Sequence, residues 1–352
     1  MTALGDLLIA RIARTGPISL ADYMADCLMH PEHGYYATRD PFGTAGDFIT
    51  APEISQMFGE LIGLALAQAW MDQGQPADVT LAELGPGRGT LMADALRATK
   101  AVPGFHAALS VHFVETSPVL RARQAQVVPD ATWHDGVATL PDAPLYLIAN
   151  EFLDALPIRQ FLRDGDGWRE KMVGVTDDVL CFGWSDPAPI AVLAHRLADT
   201  KQGDLVEYCP ALPAIIETIS HKIDAFGGAA VFIDYGDWQS LGDTLQALEA
   251  QNHADPLQSP GAADLTAHVD FAAIARHAAP AKFSRLTTQG VFLERLGITQ
   301  RAQNLARGLS GNALNAHISA HRRLTHPSEM GDLFKVISIY PALATPPPGL
   351  DP

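Results

Sequence analysis

With 352 residues, 47% of them hydrophobic, the chain has material for one core of about 200–250 residues plus additions, and disorder over most of its length is excluded. Its 24 basic and 40 acidic side chains leave a net charge of −16, which disfavours nucleic acid as the main partner and suits a basic target or a cationic cofactor. Cys27, Cys181 and Cys209 stand too far apart to indicate a disulfide framework or structural zinc, and without an apolar run of about 18 residues no membrane insertion is expected, so the reading is a cytoplasmic (bacterial) protein.

Residues 1–75 predict an N-terminal helical cap. Leu4, Leu7, Leu8 and Ile12 mark one helix face, and Arg11 interrupts the stretch before it can serve as a signal core. Ser19 with Asp22 three positions on opens a helix that Pro31 stops. A second helix begins near Pro52, carries Ile54, Met57, Phe58, Leu61, Leu64 and Trp70 on its apolar face, and ends at Gly74. Gly34–Thr50 between them is rich in Gly, Tyr and Asp, too polar for core.

From residue 79 strands and helices alternate. Val79–Leu84, Leu109–Val114, Ala131–His134 and Leu145–Ala149 read as strands, with helices at Thr90–Thr99 and Val119–Val127. Apolar runs separated by helices are the pattern of parallel strands covered on both faces, so 76–157 is expected to form the first half of a doubly wound α/β core. Ile158–Trp184 breaks the rhythm with turns at Gly165–Gly167 and Asp177-Asp178, predicting a β-rich insertion over 158–209. The second half, 210–340, is expected to hold a helix at Leu212–Ala225, a strand at Ala229–Ile233, mostly loop over Leu241–Ala263, a helix at Val269–His277, and closing strands at Phe283–Thr288 and Leu333–Ile339. The proline-rich tail, 341–352, is expected to be frayed.

The strongest local signal is Glu83-Leu84-Gly85-Pro86-Gly87-Arg88-Gly89-Thr90 at a strand-to-helix junction. Glycines let the backbone approach a ligand, and the following helix offers N–H groups and a positive dipole end to a carboxylate or phosphate. A dinucleotide fingerprint would want a small residue, usually glycine, where Thr90 stands, and Glu83 suits an amino group better than a pyrophosphate. A ligand with an amino acid end therefore fits, its carboxylate on the amides and its ammonium near Glu83; an ordinary tight turn is the alternative. Glu115 ends the next strand, at the edge where an open parallel sheet binds ligands, and can accept from both hydroxyls of a ribose; alone it would read as a helix cap. Asp135, after the third strand, can accept from an adenine amino group or belong to a plain turn.

After the fourth strand comes Asn150-Glu151-Phe152-Leu153-Asp154-Ala155-Leu156-Pro157. If a helical turn begins there, Glu151 and Asp154 share one face and can hold a guanidinium or ammonium beside Asn150; acids placed for the helix dipole are the alternative. Tyr35 and Tyr36 can line a channel or merely pack, and Asp234-Tyr235-Gly236 is equally well a turn. The spacings of His253, Asp255, Asp264, His268 and Asp270 match no ligand template, and no metal is assigned.

Together with Gly46–Gln56, His33–Tyr36, Ala263–Phe271 and Gly331–Val336, these segments resemble the MidA-like family over about residues 5–340. The resemblance implies a class I, Rossmann-like, seven-stranded core that binds S-adenosyl-L-methionine, with a helical cap and an insertion over the active site. It implies Gly85, Gly87 and Glu115, with Glu83 and Arg88 beside them, as cofactor residues, and Asp47 and Thr50 closing over the cofactor. The family's mitochondrial members are complex I assembly factors that methylate protein arginine, which implies a basic protein substrate such as a respiratory complex I subunit. On the carboxylate pair read above, Glu151 and Asp154, with Asn150, are the residues expected at that acceptor. The rival readings are a cofactor-binding assembly chaperone with little catalysis and a nucleotide-dependent oxidoreductase.

Overall fold

Val79–Leu84 (β1) and Leu145–Asn150 (β4) are buried at every position, as strands shielded on both faces must be. They belong to a sheet that also contains Leu109–Val114 (β2), Thr132–His134 (β3), Gly228–Asp237 (β5), Lys282–Phe283 (β6) and Phe334–Tyr340 (β7), in the order β3-β2-β1-β4-β5-β7-β6. The first five run parallel, while β7 is antiparallel to both β5 and β6. The computed structural model describes residues 2–38, 50–249 and 252–352. Order reverses at β1, whose neighbours β2 and β4 lead in opposite directions, so the ligand crevice of an open sheet falls at the carboxyl ends of β1 and β4.

These strands lie in one of two compact units, formed by 42–153, 213–238 and 271–352. Helix α1 (Gln56–Asp72) of this unit starts after a break at Ser55, whose φ of −160° is extended; the single helix expected from Pro52 is therefore a short turn, Ala51–Ile54, followed by the long helix. Helix α2 (Thr90–Thr99) follows β1 and lies hard against α1. A Cβ at Gly63 would sit 2.6 Å from the Ala95 Cβ, and one at Gly59 would sit 2.7 Å from the Leu91 carbonyl. Between them, the buried Glu60 carboxylate takes Arg97 of α2 at 2.6 Å and Arg301 of the helix Ile298–Ala306 at 2.8 Å. Burial pushes this carboxyl up, but the two guanidiniums outweigh it and hold it below the usual range. Helices at Leu212–Phe226, Phe271–His277, Gln289–Arg295, Ile298–Ala306 and Gly311–Thr325 also belong to the unit. Its tail is tied down, contrary to expectation: the Arg285 N–H donates to the Asp351 carbonyl, Arg295 pairs with the Asp351 carboxylate, and Leu350 is buried.

The other unit is formed by 1–41, 154–212 and 239–270. Its first helix, Ala3–Thr15, buries Leu4, Leu8 and Ile12, and Ser19 caps Leu20–Met29 by accepting the Asp22 N–H. Thus residues 1–75 contribute to both units. The expected meander is present as Arg159–Asp164, Gly167–Thr176 and Val179–Trp184, with left-handed Gly165, Asp177 and Asp178 at the turns. Phe161, Trp168, Leu193 and Val206 form its core. The stretch expected to be mostly loop contains Gln246–Glu249 and Asn252–His253, which form a small sheet with Asp264–Thr266.

Candidate functional site

Ladder bonds carry the sheet one residue past its strands and fix the site residues by their backbones. The Gly85 N–H donates to the Val114 carbonyl, Glu115 to that of His134, and Glu151 to that of Ile233, each at 3.0 Å. Gly85, Glu115 and Glu151 therefore start from one rigid edge. The Gly85 amide is spent on the sheet, so it does not serve the anion as the sequence suggested. Gly85 and Gly87 have φ of +56° and +52°, which L side chains adopt only at a cost, and the Phe152 ring lies where a Gly85 Cβ would come within 2.8 Å of it. The Thr90 hydroxyl, at the start of α2, donates to Glu53 at 2.6 Å.

The resulting cleft is lined by Thr50, Pro52, Glu53, Glu83, Gly85, Pro86, Gly87, Arg88, Thr90, Leu91, Asn150 and Glu151. It brings together seven of the residues singled out in the sequence: Thr50, Glu83, Gly85, Gly87, Arg88, Asn150 and Glu151. Glu53 and Glu151 against Arg88 leave the described lining net negative, and Glu83 adds a further negative charge when it ionises, which makes the cleft a place for a cation. Glu83 is 3% exposed and its Oε2 has no partner among the described residues; burial pushes it up to about 8, against the pull of the Met92 N–H. Asn150 donates from Nδ2 to the Glu151 carboxylate at 3.1 Å, and its buried Oδ1 is a second acceptor unmatched among the described residues. Two such acceptors lack what an ammonium supplies, so the residues present fit a ligand with an amino acid end.

Glu115 lies buried beyond β2, its Oε1 taking the Ser117 N–H at 2.8 Å and its Oε2 the Gln124 amide at 3.1 Å. Burial raises it, and those bonds pull it back. Asp135 instead points outward, with an 86% exposed side chain paired to Arg121. Asp47 lies outside the described residues.

No helical turn forms at 150–157. Glu151 adopts a left-handed φ of +49°, so it and Asp154 do not share a helix face. The Ala51 N–H donates to the Glu151 carboxylate at 3.2 Å, and the Leu153 N–H donates to Asp234 at 3.0 Å, which gives buried Asp234 a structural task. Asp154 opens the other unit, where it and Asp264 both act electrostatically on Tyr36; the Tyr36 hydroxyl donates to Asp264 at 2.9 Å. The sequence reading missed Glu53, Phe152 and Gln124. Gln124 had a signal: with Leu120, and with Val128 at the C-cap, it forms the buried stripe, at four-residue spacing, of the otherwise largely exposed helix α3 (Pro118–Val127).

Residues 61–289 match the family described as S-adenosyl-L-methionine-dependent methyltransferase. The chain belongs to that family. A protein of Burkholderia thailandensis, solved bound to S-adenosyl-homocysteine, superposes on this methyltransferase with a TM-score of 0.82 at 30% identity, covering 99% of this chain and 94% of its own. The "protein arginine methyltransferase NDUFAF7, mitochondrial" of Xenopus laevis is 36% identical over 96% of this chain and 84% of its own length, and that of Homo sapiens is 35% identical over 95% and 82%. The cofactor is S-adenosylmethionine, whose amino acid end answers the unmatched acceptors of the cleft. With this assignment the oxidoreductase reading of the glycine turn falls.

Proposed function

We propose that this methyltransferase acts on an arginine guanidinium of a protein, with Glu151 at the acceptor and Glu83, Gly87, Arg88, Thr50 and Glu115 around the cofactor. The observation that carries the proposal is the setting of Glu151. A non-glycine residue in the left-handed region costs on the order of 1 kcal/mol and persists only where its surroundings impose it. Here the Ile233 carbonyl, the Ala51 N–H and the Asn150 amide impose it, and they aim a carboxylate into the cleft that holds the cofactor turn. The naming of the curated relatives as protein arginine methyltransferases supports the choice of acceptor.

S-adenosylmethionine, when bound, supplies an electrophilic methyl group on a sulfonium. A guanidinium is not nucleophilic while fully protonated, so the residues facing it must orient one nitrogen and accept its proton as the new C–N bond forms. Glu151 is proposed for both tasks, with Asn150 fixing its orientation. The resemblance to the MidA-like family extends the proposal to a respiratory complex I subunit as substrate. The test is transfer of labelled methyl groups into a lysate lacking this protein, followed by mapping of the labelled residue. Label on arginine is expected; label on another residue type would overturn the acceptor, and cofactor binding without any label would favour the assembly chaperone.

A further inference from the structure

Among the described residues of the sheet unit, one fully buried amide touches both halves of the cofactor site. Gln124 of α3 has no exposed surface, and its Nε2 donates to the Gly87 carbonyl at 2.8 Å and to the Glu115 carboxylate at 3.1 Å. Its Oε1 accepts the Trp133 indole N–H at 2.8 Å. An indole nitrogen only donates, so Trp133 dictates which end of the amide faces it and turns both N–H groups toward the site. The Gln124 side chain also packs within 3.7 Å of where a Gly89 Cβ would be, against the base of the glycine turn. A buried amide that spends both N–H groups on the loop and the carboxylate, with its oxygen held by an indole, has a fixed geometry to impart.

We propose that Gln124 is a positioning residue that locks the Glu115 carboxylate to the glycine turn, so that the ribose is gripped in a fixed relation to the amino acid end of the cofactor. The proposal rests on the reading that Glu115 holds the ribose hydroxyls. With Ser117 on Oε1 and Gln124 on Oε2, the carboxylate cannot swing, and the lone pairs left on each oxygen keep one direction. A glutamate at 124 could not substitute, because it would meet a carbonyl and a carboxylate with no proton to give.

The probes are S-adenosylhomocysteine and its 2′,3′-dideoxyribose analogue, titrated calorimetrically into the full chain. The native protein is expected to prefer the ribose form by about tenfold or more, the scale of hydrogen bonds to a charged group. Gln124→Met, similar in length and without donors, is expected to shrink that preference to about threefold or less, because the carboxylate is no longer aimed. Glu115→Gln is expected to shrink it as well, and the double variant should lose no more than Glu115→Gln alone. A purely structural role would weaken both probes alike and leave the ratio standing; an unchanged ratio in Gln124→Met, or additive losses, would overturn the proposal. If Glu115→Gln keeps the native ratio, it is the ribose reading of Glu115 that fails. Should Gln124→Met not fold, Trp133→Phe keeps an aromatic ring but removes the indole N–H that orients the amide, and an undiminished ratio there overturns the proposal equally.

Discussion

Binding of the cofactor is expected to drive a proton off Glu83. Burial holds that carboxyl up at about 8, so at pH 7 about nine in ten free molecules carry it protonated. An ammonium placed against Glu83 favours the anion and returns its titration toward the ordinary carboxylate range. Binding at pH 7 then releases about 0.9 proton, and affinity for S-adenosylhomocysteine climbs about ninefold from pH 6 to pH 7. At still higher pH the ligand's own amino group loses its charge, so the profile turns over. Calorimetric titration in phosphate and in Tris, whose ionisation heats differ, reads the proton count directly. Glu83→Gln should bind more weakly, with no dependence on buffer and a flat profile between pH 6 and 7. Stability of the free protein moves the other way. Because the folded group titrates above the unfolded one, folded molecules bind the extra proton, and stability falls as pH rises from the ordinary carboxylate range to about 8. Glu83→Gln removes that penalty, at most about 5 kcal/mol at pH 8 and nothing near pH 4. Identical heats in both buffers, with affinity flat across the window, would refute the pairing of Glu83 with the ammonium.

Glu151→Gln is expected to lower kcat by about 10²-fold while moving the Kd for S-adenosylhomocysteine little; comparable losses in both would move Glu151 out of the acceptor role. Glu60→Gln should cost about 1–2 kcal/mol in urea unfolding at pH 7, a figure kept low because Arg97 and Arg301 are 45% and 39% exposed. Because the Glu60 carboxyl is held low, its stabilisation is present above the usual carboxylate range and should fade as pH falls through the folded value, closing the gap to the variant. Gly63→Val must push α1 away from Ala95, with an expected loss of about 1–3 kcal/mol; an unchanged Tm would show that the helices separate without cost.

Much of the sheet was legible because its strands are apolar on both faces and bounded by glycine turns, signals that survive without knowledge of partners. The helix Gly311–Thr325 was not, since it buries only Leu324 and carries no sustained apolar face. The strand Gln246–Glu249 is two polar and two apolar residues, and its pairing with Asp264–Thr266 is a tertiary fact. At the site, residues attached to strand ends were readable one by one, but contacts between distant segments were not: Glu53 on Thr90 and Gln124 on Glu115 depend on how helices dock. The expected helical turn at Glu151 failed because the ladder bond to Ile233 and the buried Asp234 outcompete local helix formation.

The antiparallel strand β7 has a consequence for the nascent chain. Ala230–Tyr235 of β5 have Phe334–Ile339 as their ladder partners, about a hundred residues further on. At synthesis rates of about 5–20 residues per second, the ribosome would leave that rim of amides and carbonyls waiting roughly 5–20 seconds. An apolar strand in that state is a template for pairing with another chain. Truncations that stop short of Phe334 should therefore yield aggregates in the cell rather than a smaller enzyme, and holdase chaperones have their clearest client in that interval.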